Sequence, residues 1–181
     1  MHEEKLMNNP VPTSVEAEVK IRISRAAARL QLEAVGAHLL QSERQTDVYF
    51  SHPCRDLLAQ DKALRIRTSN SEQHLTYKGP RSTSTIKIRQ EIEVLVDGNI
   101  TALLEHLGFC PVATVIKHRD LYTCHTLLCA LDKVENLGEF LEIETTQPGA
   151  LERITELLRV LKLSSEPLIR SSYLELLKEA Q

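Results

Sequence analysis

Residues Val15 to Ile23 alternate without a break. Val15, Ala17, Val19, Ile21 and Ile23 take one parity, and Glu16, Glu18, Lys20 and Arg22 the other. Strand side chains point to opposite faces with a period of two, so this segment predicts a strand with one apolar and one charged face. Taken alone, that is the pattern of a half-buried surface strand. The same alternation recurs, however. Leu64-Arg65-Ile66-Arg67 sets two guanidiniums on one face, and Lys87 to Glu93 sets Lys87, Arg89, Glu91 and Glu93 on one face. Lys117-His118-Arg119 adds a cation pair and Leu141-Glu142-Ile143-Glu144 an acid pair, while Lys78 and Asp132 stand singly on further strands.

Between these strands the periodicity changes. Ser24 stands where an N-cap belongs, and Ala28, Leu32, Val35, Leu39 and Leu40 recur at helical spacing, which predicts a helix from Arg25 to about Gln41. Strands are predicted at Gln45–Phe50, Ala63–Thr68, His74–Lys78 and Ile86–Val96. Gly79-Pro80 stops the third of these. Asp97 is the expected cap of a helix that ends at Gly108. Strands follow at about Ala113–Tyr122, Leu127–Glu135 and Glu139–Thr145, with Asn136-Leu137-Gly138 as a hairpin turn. Pro148 opens a helix to about Leu161, and Pro167 another to about Glu179. About eight strands and four helices, with neighbouring strands antiparallel and no Pro/Gly-rich linker, predict an α+β fold. Residues 1–13, with Pro10 and Pro12, read as a disordered leader and 14–181 as a single domain.

The charged face carries Glu16, Glu18, Glu91, Glu93, Asp132, Glu142 and Glu144 against Lys20, Arg65, Arg67, Lys78, Lys87, Arg89, Lys117 and Arg119. If solvated, it would be laced with cross-strand ion pairs worth about 0.2–1 kcal/mol each. The apolar positions on the other face, however, form a surface that four helices can cover. Eight antiparallel strands suffice to close a barrel, and the charged face then becomes its lumen. Buried charges are costly unless they are paired or bound to metal and ligand. Guanidiniums match phosphate oxygens bidentately, and carboxylates suit Mg²⁺ or Mn²⁺. Both kinds in one lumen point to a metal–polyphosphate complex. A single orthophosphate would not need so many cations; a triphosphate could use them.

Composition narrows the partners. A net charge of −3 gives no global field for nucleic acid, and three Phe, four Tyr and no Trp leave little for base stacking. No apolar run reaches the ~18 residues of a membrane helix, and Met1 to Asn9 lacks the apolar core of a secretory signal, so the default location is cytoplasmic. Cys54, Cys110, Cys124 and Cys129 show no C-x-x-C spacing and read as inert thiols rather than a zinc site.

The ordered set resembles the CYTH superfamily, the triphosphate tunnel metalloenzymes. The resemblance starts at Glu16-x-Glu18-x-Lys20 and runs through Asp47-Val48-Tyr49-Phe50, Leu64-Arg65-Ile66-Arg67, Thr76-Tyr77-Lys78-Gly79 and Arg89-Gln90-Glu91-Ile92-Glu93. It continues through Lys117-His118-Arg119 and Leu131-Asp132-Lys133-Val134 to Leu137-Gly138-Glu139-Phe140-Leu141-Glu142-Ile143-Glu144. The last of these, with Ser172-Tyr173-x-Glu175-Leu176-Leu177, resembles the class IV adenylyl cyclase-like members most.

The resemblance implies an eight-stranded antiparallel tunnel barrel with helices outside. It implies Mg²⁺ or Mn²⁺ held mainly by Glu16, Glu18, Glu142 and Glu144, with Asp132 near. Glu91 and Glu93 either take a second metal or neutralise cations. Triphosphate contacts are implied for Arg65, Arg67, Lys78, Lys87, Arg89, Lys117 and Arg119. Lys20 and Tyr49 resemble a pair that activates water in hydrolytic members, which needs a lysine whose pKa is lowered by neighbouring cations; for Tyr49 a packed strand aromatic is the other reading. The function implied is an adenylyl cyclase that turns ATP into cyclic AMP and pyrophosphate. The alternatives are a hydrolase of tripolyphosphate, thiamine triphosphate or a nucleoside triphosphate, or a non-catalytic polyphosphate-binding module. The full set of acids favours an enzyme over the module. A small-molecule triphosphate is the expected partner, with a homodimer as the family-like assembly.

Overall fold

The computed structural model describes residues 13–180. The expected leader lies outside them except for Thr13, which already belongs to the first strand. The element order is β1 (Thr13–Arg22), α1 (Arg25–Ala34), β2 (His38–Ser51), β3 (Ala63–Ser69), β4 (Glu72–Lys78), β5 (Lys87–Val96) and α2 (Ile100–His106). β6 (Cys110–Cys124), β7 (Leu127–Val134), β8 (Gly138–Thr145), α3 (Ala150–Val160) and α4 (Tyr173–Glu179) complete it. The eight strands form a closed barrel in the order β1-β5-β4-β3-β2-β6-β7-β8, every pair antiparallel. This is the α+β architecture that the alternation predicts.

Register follows the two-residue period. Lys20 stands opposite Glu142, Glu18 opposite Lys87 and Glu144, Arg67 opposite Asp47, and Arg119 opposite Asp132. The charged faces point inward. Outside β1, β7 and β8, the apolar parity (Ala17, Val19, Ile21, Leu131, Leu141, Ile143) packs under Ala28 and Leu32 of α1 and Ile154, Leu157 and Leu158 of α3. Each fully buried Leu or Ile there contributes about 1.5–3 kcal/mol. A smaller cluster seats Leu104 of α2 on Phe50 and Ile66.

Four boundaries differ from the sequence expectation. α1 stops at Ala34 instead of Gln41, because Gly36 turns the chain at φ +79°. Leu39 and Leu40, which continue the helical spacing, are exposed residues at the start of β2. α2 is capped by Asn99, whose side chain accepts the Ala102 N–H, while Asp97 accepts only the amide of its neighbour Gly98. α4 begins at Tyr173, not at Pro167. The residues before it run alongside β1, where the Ile169 N–H donates to the Lys20 carbonyl. α4 also does not cover the outer apolar face. Tyr173 and Leu174 pack on Tyr49, Val115, Val134 and Phe140, which share the parity of the lumen charges, so α4 plugs one end of the barrel.

Candidate functional site

Lumen-facing side chains of every strand but β7, together with the β2–β3 and β4–β5 loops and α4, enclose a cavity of about 170 Å³. Its walls include Lys20 and Tyr49, the cations Arg65, Arg67, Lys78, Lys87, Arg89, Lys117 and Arg119, and the acids Glu16, Glu18, Glu91, Glu93, Glu142 and Glu144. The sequence-predicted residues therefore converge on one space, with one exception. Asp132 is 0% exposed and lies behind the wall. Its Oδ1 accepts from Arg119 Nε at 2.7 Å, and its Oδ2 accepts from Arg119 Nη2 at 2.5 Å, Tyr173 OH at 2.9 Å and Lys117 Nζ at 3.2 Å. With both oxygens spent, Asp132 acts here as a counter-ion that fixes Arg119 and Lys117, which departs from its expected place among the metal-binding acids.

The charges are cross-braced. Lys20 Nζ lies 3.1 Å from Glu142 and 3.5 Å from Glu18, donates to the Ser171 carbonyl at 3.0 Å, and sits 4.3 Å from the centre of the Tyr173 ring. Lys87 bonds both oxygens of Glu18 at 3.0 and 3.1 Å. Lys78 meets Glu91 at 2.5 Å and Glu16 at 3.6 Å. Arg119 also binds Glu142. Asp47 receives Arg65 at 3.1 Å and a two-point contact from Arg67 at 2.7 and 2.8 Å.

Burial and these partners set the ionisation states. Burial alone would raise Glu18, Glu142 and Asp47, but facing lysines and arginines hold all three well below the usual carboxylate range. Glu91 is lowered to about 2, because Lys78 overcomes its burial. Glu16 goes the other way, to about 8: burial outweighs Lys78, and Glu144, Glu91 and Glu18 add repulsion. Glu144 is likewise raised by burial and by Glu142 and Glu18, against the pull of Arg119.

Among the lysines, burial pushes Lys87 down to about 8 despite Glu18. Lys117 falls to about 8 through burial and repulsion by Arg119, which commands most of Asp132. Lys20 is raised instead. Burial would lower it, but Glu142 and Glu18 hold its charge, so the lowered pKa expected of a water-activating lysine is absent at Lys20 and present at Lys87 and Lys117.

Two features bear on what the cavity can hold. Arg65 Nε and Arg89 Nε are buried N–H donors with no acceptor, which suits an anion. Among the described residues, no three His, Cys, Asp or Glu side chains form a ready metal cage. Even so, the uncompensated negative charge that burial and neighbouring carboxylates impose on Glu16 and Glu144 is what a hard, oxygen-seeking divalent cation would relieve, so the donor set fits Mg²⁺ or Mn²⁺.

Three contributors have roles that the sequence does not announce. Asp47 shares the parity of Tyr49 on β2, so the alternation alone marks it as lumen-facing. Tyr173 belongs to no strand, and only the Ser172-x-x-Glu175 capping box signals its position. Arg81 clasps Asp61 at 2.6 Å and Glu175 at 2.9 Å beside the cavity, joining two loops to α4. Nothing in the local sequence pairs these three. No described helix is long and apolar enough to cross a membrane.

The chain resembles several known proteins. Over 171 residues it is 34% identical to the Methanocaldococcus jannaschii protein named "Putative adenylate cyclase MJ0240", covering 90% of this chain and 98% of that one. It is 29% identical over 176 residues to adenylate cyclase CyaB of Aeromonas hydrophila, covering 91% of this chain and 90% of that one. The solved structure of the PH1819 protein of Pyrococcus horikoshii superposes with a TM-score of 0.81 at 35% identity, over 92% of this chain and 99% of that one. The CYTH domain model matches residues 14–173, and the chain belongs to the CYTH domain family.

Proposed function

We propose that the chain is a divalent-cation-dependent enzyme that binds a triphosphate in the barrel lumen and acts as an adenylyl cyclase, converting ATP to cyclic AMP and pyrophosphate. The observation that carries the triphosphate reading is the pair of buried, acceptor-less guanidinium N–H groups of Arg65 and Arg89 among the lumen cations. The cyclase designations of the relatives described above support the choice of reaction.

In this reading Arg65 and Arg67, fixed by Asp47, and Arg119, fixed by Asp132, present guanidiniums in set orientations to phosphate oxygens. Lys20, held charged by Glu142 and Glu18, serves as a fixed cation on the developing phosphate charge rather than as a base. Glu16 and Glu144, with Glu18 and Glu142 as they exchange partners, would hold the cation. When bound, it would polarise phosphate oxygens and lower the pKa of a coordinated hydroxyl. The ribose 3′-oxygen forms a bond to the α-phosphorus as its proton passes to solvent water, and the bond from that phosphorus to the pyrophosphate oxygen breaks, releasing pyrophosphate. Tyr49 lies within the apolar cluster under α4 and shapes the end of the cavity.

Hydrolysis of a triphosphate is the second reading. Lys87 and Lys117, both near pKa 8, are the groups suited to accept a proton from an attacking water. Incubating the protein with Mg²⁺ or Mn²⁺ and ATP, tripolyphosphate or thiamine triphosphate, then separating products, decides between them. Cyclic AMP with pyrophosphate is expected, and orthophosphate without cyclic product overturns the cyclase. Glu16→Ala and Glu142→Ala should each lower turnover by roughly a hundredfold; intact turnover in either removes that residue from the metal and phosphate machinery.

A further inference from the structure

Tyr173 is the first residue of α4, yet its buried side chain reaches charges that the barrel strands supply, and it lines the cavity. Its hydroxyl donates to Asp132 Oδ2 at 2.9 Å. The centre of its ring lies 4.3 Å from Lys20 Nζ, 5.2 Å from Lys117 Nζ and 5.1 Å from the centre of the Phe140 ring. Both amines are within cation–π range, so the ring has neighbours that fix its plane and aim the hydroxyl. The residue two before it, Ser171, accepts the Lys20 amine through its carbonyl at 3.0 Å.

This segment is tied down on its far side as well. Arg170 donates to the carbonyls of Ser82, Ser84 and Thr85 in the β4–β5 loop. Arg81 of the same loop returns a bond to the Arg170 carbonyl at 3.1 Å and holds both oxygens of Glu175 at 3.1 and 2.9 Å. Tyr173 therefore enters the lumen at a fixed depth, between two anchored neighbours.

What its hydroxyl does follows from charge. Asp132 is fully buried, and its donors are two cations, Arg119 and Lys117, and one uncharged group, the Tyr173 hydroxyl. Burial, with the charges of Glu142 and Asp132, holds the phenol well above its usual pKa, so the hydroxyl keeps its proton and stays a neutral donor. Arg119 and Lys117 also line the cavity, whereas Asp132 lies behind them. Without the hydroxyl, Asp132 would either draw harder on these two cations or stand partly unpaired near an incoming anion. Both outcomes weaken phosphate binding.

We propose that Tyr173 is a positioning residue for triphosphate binding: its uncharged hydroxyl shares the neutralisation of Asp132 and so leaves Arg119 and Lys117 available to phosphate. This rests on the triphosphate reading above and extends the working site from the barrel strands to α4.

Calorimetry on the full chain with Mn²⁺ and tripolyphosphate tests it. Tyr173→Phe keeps the ring and loses only the hydroxyl. Amide exchange across α4 should stay at the wild-type rate, while tripolyphosphate affinity falls roughly three- to tenfold, the size of one net hydrogen bond. In an Asp132→Asn background there is no carboxylate charge to share, and Tyr173→Phe should then change affinity by less than about twofold. The proposal is overturned if Tyr173→Phe binds as tightly as wild type, or if its loss of affinity comes only with faster exchange in α4. It is also overturned if the substitution costs the same beside Asp132→Asn, because the hydroxyl would then act on the ligand directly. Should Asp132→Asn not fold, the single variant with its exchange rates still decides. Should tripolyphosphate not bind the wild type, it is the triphosphate reading that fails.

Discussion

Glu16 and Lys87 line one cavity and both titrate near 8, an acid raised and a base lowered, chiefly by loss of water. For Glu16 the unfolded chain ionises near 4.5 while the folded chain keeps the proton until about 8. A raised acid contributes fully below 4.5 and loses that contribution as pH climbs through 4.5 to 8. Glu16→Gln keeps the shape and carries no charge, so in chelator-treated protein it should match wild type near pH 5 and melt higher at pH 8. Each kcal/mol is worth roughly 2–4 °C at this chain length. Thermal melts across that range check it, and a gap that fails to widen with pH would show that Glu16 is not carrying the strain.

Alternation alone marks which residues face the lumen, because parity is local. It cannot show that Arg119 spends itself on Asp132, since that pairing depends on how β6 and β7 align.

The elements differ in how openly they announce themselves. Strands are legible because nine consecutive alternating residues such as Val15 to Ile23 leave no second periodicity to choose. The spacing overruns α1 because Leu39 and Leu40 satisfy helical periodicity by chance, and the turn at Gly36 decides against it. Pro167 looks like a helix start and predicts α4 too early, whereas the chain from Leu168 to Ser171 is held beside the barrel until Ser172 caps the helix. That cap is a capping box, with Ser172 Oγ accepting from the Glu175 amide at 3.2 Å and Glu175 Oε2 accepting from the Ser172 amide at 2.7 Å. A seven-residue helix is marginal without its cap and packing. Ser172→Ala should cost about 1 kcal/mol and speed amide exchange across Tyr173–Glu179 while leaving the strands protected. Unchanged exchange in that helix would mean that packing of Tyr173 and Leu174 alone holds the plug.

For the whole molecule, closure is the decisive property. A closed eight-stranded sheet has no free edge, so its inward parity becomes a single enclosed surface and its outward parity a core for α1, α2 and α3. Ligand binding should then report on global stability. Tripolyphosphate and Mn²⁺ together, at about 100 times the dissociation constant, should add about 2.7 kcal/mol, and the pair should raise Tm by more than the sum of either alone. Differential scanning measurements with each component singly and together check this; strictly additive shifts would argue against a shared site.

The ion pairs within the lumen carry a last consequence. Glu18, Glu142 and Asp47 already occupy the cations that a phosphate chain would seek, so the barrel holds its own competing anions. Beyond the acceptor-less Nε groups of Arg65 and Arg89, an incoming ligand gains its contacts by displacing carboxylates, and its affinity is in large part a difference between two sets of ion pairs. An anion of low charge gains too little from that exchange to dislodge the resident acids, whereas one with several linked charges replaces them together. Fragments left after the chain is cut therefore hold on less well than the intact chain, and the carboxylates that yielded to the substrate help to expel its pieces.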